Sequence, residues 1–237
     1  MNNTQYIIER FNKFGFEISD LQADKFNRYY EMLVEWNAKM NLTAITDFKD
    51  VVDKHFIDSL CIKRVLDDNL DFSLIDVGTG GGFPGIPIKI LFSDTRVTLL
   101  DSLQKRINFL DAVIDELELS DIYTIHGRAE DFGRDPEYRE KYDICVSRAV
   151  ANLSTLSEFC LPFVKVNGSF ISYKSEKTEE ELIQAKSAIN KLGGKVRITE
   201  EFSIDNNKRT LIVIDKVTAT DNFFPRKAGV PLKKPLK

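Results

Sequence analysis

Residues 73–85 read SLIDVGTGGGFPG: Ser73-Leu74-Ile75-Asp76-Val77 is a short apolar run closing on an acid, and Gly78-Thr79-Gly80-Gly81-Gly82-Phe83-Pro84-Gly85 follows without a break. Such a run suits a strand buried on both faces. Glycines at this density let the backbone take positive φ and let another molecule approach it closely. Pro84 suits a first helical turn, where its missing N–H would have no partner anyway, and Ile86, Ile88 and Ile90 carry the apolar pattern onward. The stretch predicts strand, glycine turn and helix, with a ligand cradled at the strand's C-terminal edge.

Downstream, short apolar runs recur as VTLLD ending at Asp101, IYTIH ending at His126, YDICVS ending at Ser147, SFISYK ending at Lys174 and TLIVID ending at Asp215. Between them Leu103, Ile107, Leu110, Ile114 and Leu117 mark one amphipathic helix, and Leu182, Ala185, Ile189 and Leu192 mark another. Thr178 with Glu181 is expected to cap the second, and Gly193-Gly194 to end it. Alternation of this length predicts an α/β open sheet with mostly parallel strands.

Upstream, Phe26, Tyr29, Leu33, Trp36 and Met40 recur at three and four residues over 20–40, behind a capping box of Ser19 and Gln22. A polar break, NLTAITD, precedes a second helical pattern from Val51 and Val52 through His55, Phe56, Ser59, Leu60 and Ile62 toward Leu66. After Lys216 the chain runs VTATDNFFPRKAGVPLKKPLK, with three prolines and too little periodicity for another element. The expected division is a helical extension over 1–70, an α/β core over 71–216 and a basic tail over 217–237.

The 237 residues are 43% apolar and 30% charged, the profile of a soluble globular protein. No run approaches the roughly 18 apolar residues of a membrane helix, and MNNTQYIIER lacks a basic segment followed by an apolar one. A cytoplasmic protein without a membrane association is the expectation. Cys61, Cys145 and Cys160 form neither an even set nor a C-x-x-C pair, and His55 and His126 are the two histidines. This predicts reduced thiols and no metal site, with Cys145 and Cys160 acting as small buried hydrophobes. The net charge of −4 hides a gradient: residues 208–237 carry eight basic groups against Asp215 and Asp221, net +6, leaving −10 for the rest. A basic end of this kind suits a phosphate backbone or a solvated tail equally.

Gly80, Gly82 and Gly85 satisfy G-x-G-x-x-G, the weak signature of a dinucleotide site. The alternative parse, Asp76-Val77-Gly78-Thr79-Gly80-Gly81-Gly82, is D-x-G-x-G-x-G and resembles motif I of class I S-adenosylmethionine (SAM) methyltransferases. A carboxylate beside the turn suits a sulfonium and an α-amino group, whereas it would repel a pyrophosphate. Asp101, nineteen residues after Gly82, can accept from both ribose hydroxyls of either cofactor, or can cap the helix from Leu103. Gly127-Arg128-Ala129-Glu130, after the third strand, could border an adenine, while His126 reads as a strand-end residue.

Separate segments then resemble one family, the bacterial 16S rRNA guanine-N7 methyltransferases, also called ribosomal RNA small subunit methyltransferase G or glucose-inhibited division protein B. They are Asn41-Leu42-Thr43-Ala44-Ile45, His55-Phe56-Ile57-Asp58-Ser59-Leu60, Asp76 through Gly85, Gly127 through Glu130, Ser147-Arg148-Ala149-Val150, Lys174 and Phe224-Pro225-Arg226-Lys227-Ala228-Gly229. Ser175 follows Lys174 where the family pattern has glycine. The resemblance implies a Rossmann-like class I SAM-dependent methyltransferase core, with a mostly parallel seven-stranded sheet and an N-terminal helical extension. It implies methylation of guanine N7 in the 530 loop of 16S rRNA, at the nucleotide numbered 527, with naked rRNA or the small ribosomal subunit as partner and a monomer as adequate.

On that resemblance, cofactor contacts are expected from Asp76, Gly78, Gly80, Gly82, Phe83, Asp101, Ala129, Glu130 and Arg148. Arg148, Asn41 and His55 are the expected catalytic-site residues, and Lys174, Arg226 and Lys227 the expected rRNA phosphate contacts, with Phe223 and Phe224 stacking on a base or anchoring the tail. Guanine N7 has an in-plane lone pair and needs no general base, which fits a chain with two histidines. Three rival readings are a SAM methyltransferase of a small molecule or protein, a nicotinamide dehydrogenase, and a non-catalytic SAM or RNA binder.

Overall fold

A computed structural model describes residues 2–66, 71–148, 151–175 and 178–237. Among them, β1 (Ser73–Val77), β2 (Arg96–Asp101), β3 (Ile122–His126), β4 (Tyr142–Ser147), β5 (Val164–Lys174), β6 (Gly194–Ile204) and β7 (Asn207–Lys216) form one sheet in the order β3-β2-β1-β4-β5-β7-β6. The pairings among β1 to β5 are parallel, while β7 lies antiparallel between β5 and β6. Four of the five residues of β1 are buried, as a central parallel strand covered on both faces requires.

The helices are α1 (Asn3–Lys13), α2 (Asp20–Met40), α3 (Phe48–Val51), α4 (Asp58–Leu60), α5 (Gly85–Leu91), α6 (Gln104–Glu116), α7 (Ala129–Phe132), α8 (Leu153–Cys160), α9 (Thr178–Lys191) and α10 (Val230–Lys233). A π-helical stretch, Val52–Ile57, joins α3 to α4. One face of the sheet, with Leu74, Val97, Leu99 and Val146, shares a core with α1, α2, α5 and α6; the other, with Ile75, Leu100, Cys145 and Phe170, packs on α8 and α9. All three cysteines are buried free thiols. No helix among the described residues is long and apolar enough to cross a membrane.

The helical extension is built into the core. The Ser19–Gln22 capping box forms in both directions, and the Gln22 amide also donates to the carbonyl of Ile90 at 2.8 Å, tying the start of α2 to the end of α5. Rings then connect the extension to the glycine turn: Phe26 to Phe56 at 5.0 Å, Phe56 to Tyr29 at 5.4 Å and Tyr29 to Phe83 at 5.3 Å. Each buried ring contributes about 1.5–3 kcal/mol, so the extension and the turn stabilise one another. The expected boundary at residue 70 lies outside the described residues.

Three elements differ from the sequence expectation. β6 has no apolar run, because it is an edge strand whose residues are mostly solvated. Thr178 lies inside α9 rather than before it, and the Glu181 carboxylate pairs with Lys174 at 2.7 Å instead of closing a cap. The tail contains a helical turn, α10, and packs back on the core.

Candidate active site

Strand order reverses between β1 and β4, and such a reversal opens a crevice at the C-terminal strand ends. Gly78 leaves β1 there and Arg148 leaves β4, with the Ser147 hydroxyl donating to the Val77 carbonyl at 2.8 Å to hold the two ends together. Two cavities meet at this point and share Gly78 and Arg106. The smaller, about 500 Å³, is lined by Asp101, Leu103, Ala129, Glu130 and Leu156 among others. The larger, about 770 Å³, is lined by Thr43, His55, Gly80, Phe83, Arg148 and Lys174 among others.

The turn owes its shape to its glycines. Gly78, Gly80 and Gly82 have φ of 74°, 63° and 94°, a region that side chains rarely tolerate. At Gly82 a Cβ would also stand 2.6 Å from both the Tyr29 hydroxyl and Ile86 Cδ1. Gly82 therefore packs against the extension and lines neither cavity. The Tyr29 hydroxyl donates to the carbonyl of Gly81.

Asp76 lies beneath the turn and also lines neither cavity. Its Oδ2 accepts from the Thr79 hydroxyl at 2.7 Å and from the Gly85 N–H at 2.9 Å, while Oδ1 is buried without a hydrogen-bond partner. Burial pushes this carboxyl up to about 6, although both hydrogen bonds and Arg148 favour its charged form. From this position the Asp76 charge reaches the two cavities as a field from beneath the turn. That field still suits a cation and opposes a pyrophosphate.

Asp101 does line the smaller cavity and is 2% exposed. It accepts from Gly80 N–H and Leu103 N–H at 3.0 Å each and pairs with Arg106 at 3.0 Å. The carboxylate thus faces the cavity and steadies the start of α6 at once. Ala129 and Glu130 line the same cavity, and both are buried.

Arg148 is held by the extension. Its Nη1 donates to Asp58 Oδ2 at 2.9 Å and to the Lys54 carbonyl at 3.1 Å, its Nη2 approaches His55 Nδ1 at 3.1 Å, and the guanidinium lies 5.1 Å from the centre of the Phe83 ring. His55 stacks on Phe83 at 4.5 Å and meets the Thr43 hydroxyl through Nε2 at 2.9 Å. Nδ1 also lies 3.1 Å from the Lys54 carbonyl, which itself accepts from Arg148; because a guanidinium only donates, the tautomer that satisfies the Arg148 contact has Nδ1 as acceptor and its proton on Nε2. Burial, reinforced by Arg148, lowers the imidazole to about 3. His55 is thus held neutral, with Nδ1 against the Arg148 guanidinium.

The remaining expected residues divide. Lys174 lines the larger cavity, with its ammonium on Glu181 and on the Ala151 carbonyl at 3.0 Å. Asn41 is the left-handed C-cap of α2, φ 51°, and lines neither cavity, although Leu42 and Thr43 line the larger one. Lys227 is exposed. Arg226 is not a free cation: it holds Glu158, which is fully buried, through Nε at 2.8 Å and Nη2 at 2.6 Å. A buried carboxylate needs such a partner, and this one draws the expected phosphate contact inward. Phe224 packs on the core and Phe223 is exposed beside it. Ala149 and Val150 lie outside the described residues.

The sequence reading passed over Asp58 and Arg209. Asp58 is buried between two guanidiniums, Arg148 at 2.9 Å and Arg209 at 2.8 Å. Its signal was present, three residues after His55 on a helical segment. Arg209 carried none, because only the fold brings the start of β7 to α4.

The strand order and the crevice define the class: this is a Rossmann-like class I methyltransferase fold. Solved structures agree on the fold. An O-methyltransferase from Bacillus cereus in complex with SAH superposes with a TM-score of 0.55 at 16% identity, covering 80% of this chain and 91% of that one. The M. jannaschii TYW2 in complex with AdoMet gives 0.51 at 18%, covering 63% and 71%. The family profile described as rRNA small subunit methyltransferase G (GidB) matches residues 22–212. Ribosomal RNA small subunit methyltransferase G of Acetivibrio thermocellus is 53% identical over 97% of this chain and 95% of its own, and that of Lachnoclostridium phytofermentans is 48% identical over 100% and 98%. The chain belongs to the rRNA small subunit methyltransferase G family.

Proposed function

We propose that the protein transfers a methyl group from SAM to N7 of guanine 527 in the 530 loop of 16S rRNA, acting on the rRNA or on the small ribosomal subunit. SAM supplies an electrophilic methyl group on its sulfonium. The two cavities fall within the usual range for such ligands, and their walls fit its parts. In the smaller one Asp101 would hold the ribose hydroxyls, and Ala129 with Glu130 the adenine. At the junction Gly78, Gly80, Phe83 and Arg148 would hold the methionine end, Arg148 meeting its carboxylate.

The guanine would enter the larger cavity. Base and methyl must meet in line, so the base has to leave its stack or come from a loop. The observation that carries the reading is that, among the described residues, the imidazole and the carboxylates lining the larger cavity are all engaged by other groups. His55 turns its bare nitrogen to the guanidinium, Asp58 is shared by two arginines, and Glu181 is paired with Lys174. N7 attack needs no proton acceptor, whereas methylation of a hydroxyl or an exocyclic amine does. Lys174 and Lys227 are the proposed phosphate contacts.

Methyl transfer to rRNA and to free guanosine, measured side by side, tests the substrate class. Transfer to rRNA alone is expected. Equal efficiency on guanosine would favour a small-molecule enzyme.

A further inference from the structure

After β7 the chain folds back over α7 and α8. Arg139 donates to the carbonyls of Thr220 at 2.6 Å and Phe224 at 2.8 Å, Arg134 donates to that of Pro225 at 2.7 Å, and the Arg226–Glu158 pair follows. Three further bonds fix the next turn. Gly229 N–H donates to Glu130 Oε1 at 2.8 Å, the Thr155 hydroxyl donates to the Pro231 carbonyl at 3.1 Å, and Arg226 Nη2 donates to the Lys234 carbonyl at 2.8 Å.

Leu232 stands between these anchors. Its neighbour Pro231 is buried, yet Leu232 is 60% exposed and lines the smaller cavity together with Glu130. Leu103, from the start of α6, is likewise an exposed leucine on that cavity. A single exposed leucine is unremarkable on a protein surface. Two, from distant parts of the chain and on the wall of one cavity that also carries Asp101 and Glu130, form an apolar seat for a flat ring whose edge is hydrogen-bonded. The backbone around Leu232 is held at both ends, so the side chain is presented to the cavity at little further ordering cost.

We propose that Leu232 is a cofactor-positioning residue: the turn over 229–234 supplies an apolar wall for the adenine of SAM, and this turn, unlike Lys227 before it, serves cofactor affinity rather than rRNA recognition. The inference rests on the reading of the smaller cavity as the adenosine site. The Gly229 N–H belongs to the same device, because it fixes the Glu130 carboxylate that borders the ring.

Leu232→Asp, an exposed change that leaves every anchor in place, tests it against Leu232→Met and Asp101→Ala. The readouts are the Kd of SAM and of S-adenosylhomocysteine, the KM of each substrate, kcat, and a thermal melt. Leu232→Asp should raise both Kd values and the KM for SAM about tenfold, with the rRNA KM, kcat at saturating SAM and the melt unchanged. Leu232→Met should restore the affinity. An unchanged SAM Kd in Leu232→Asp, with binding lost in Asp101→Ala, would overturn this proposal alone. Unchanged SAM binding in Asp101→Ala would overturn the site reading beneath it, and the proposal with it. A higher rRNA KM with SAM affinity intact would assign the turn to RNA and contradict the proposal.

Discussion

The guanidinium of Arg148 lies 3.1 Å from Nδ1 of His55, and since it can only donate, the imidazole presents a bare nitrogen to a cation. That pair fixes what His55 does. Asparagine places an acceptor near the position of Nδ1 and alanine does not. His55→Asn should therefore keep most of kcat, while His55→Ala should lose roughly ten- to a hundredfold, the cost of a hydrogen bond to a charged group. Steady-state kinetics on both variants checks it. Equal loss in the two would mean that the ring itself takes part in the chemistry.

Asp58 joins Arg148 to Arg209 from inside the core. Removing the carboxylate leaves two guanidiniums facing each other, so Asp58→Ala should cost about 3–5 kcal/mol. Denaturant unfolding measures that loss. Asp58→Asn keeps an acceptor and should lose less stability, with Arg148 misplaced and kcat reduced.

Asp76 and His55 drive acid stability in opposite directions. Asp76 titrates near 6 in the folded chain against an ordinary 3.8. Between those values the folded chain keeps a proton that the unfolded chain has released, so this group makes stability fall as pH rises. His55 titrates near 3 against an ordinary 6.5. Between those values the unfolded chain gains the proton, so its contribution is present above 6.5 and is lost as pH falls toward 3. Relative to the parent, His55→Asn should gain roughly 1–3 kcal/mol between pH 6.5 and 4.5, and Asp76→Asn should lose stability over pH 6 to 4. Unfolding free energies at half-unit pH steps read both slopes.

Arg226→Ala leaves Glu158 buried without its cation. A loss of about 3–5 kcal/mol is expected, with SAM affinity falling as the Gly229–Glu130 bond loosens. A melting temperature unchanged within a degree would contradict the buried-pair account and return Arg226 to the role of a phosphate contact.

Much of this site was readable before the fold. Asp101, Ala129, Glu130 and Arg148 each follow an apolar run, and in a parallel sheet the residues after such runs collect at one edge, so their convergence followed from strand order alone. What the sequence concealed was orientation. Asp76, one residue before the end of β1, faces under the turn, where Gly85 N–H and the Thr79 hydroxyl claim its oxygen. Gly82 is packed against Tyr29 of the extension. Arg226 looked like a surface cation in a basic tail, yet the acid embedded in the apolar run Leu153–Phe163 was the signal that a distant cation had to come inward. β6 escaped notice because an edge strand needs no apolar pattern.

Methylation of one guanine at N7 is tested most directly by methyl transfer from labelled SAM to small ribosomal subunits lacking this modification, with the product mapped by chain cleavage at 7-methylguanosine. A single cleavage in the 530 loop, at guanine 527, is the predicted result. SAM binding with no label in any rRNA, under conditions where an authentic family member labels its site, would contradict it.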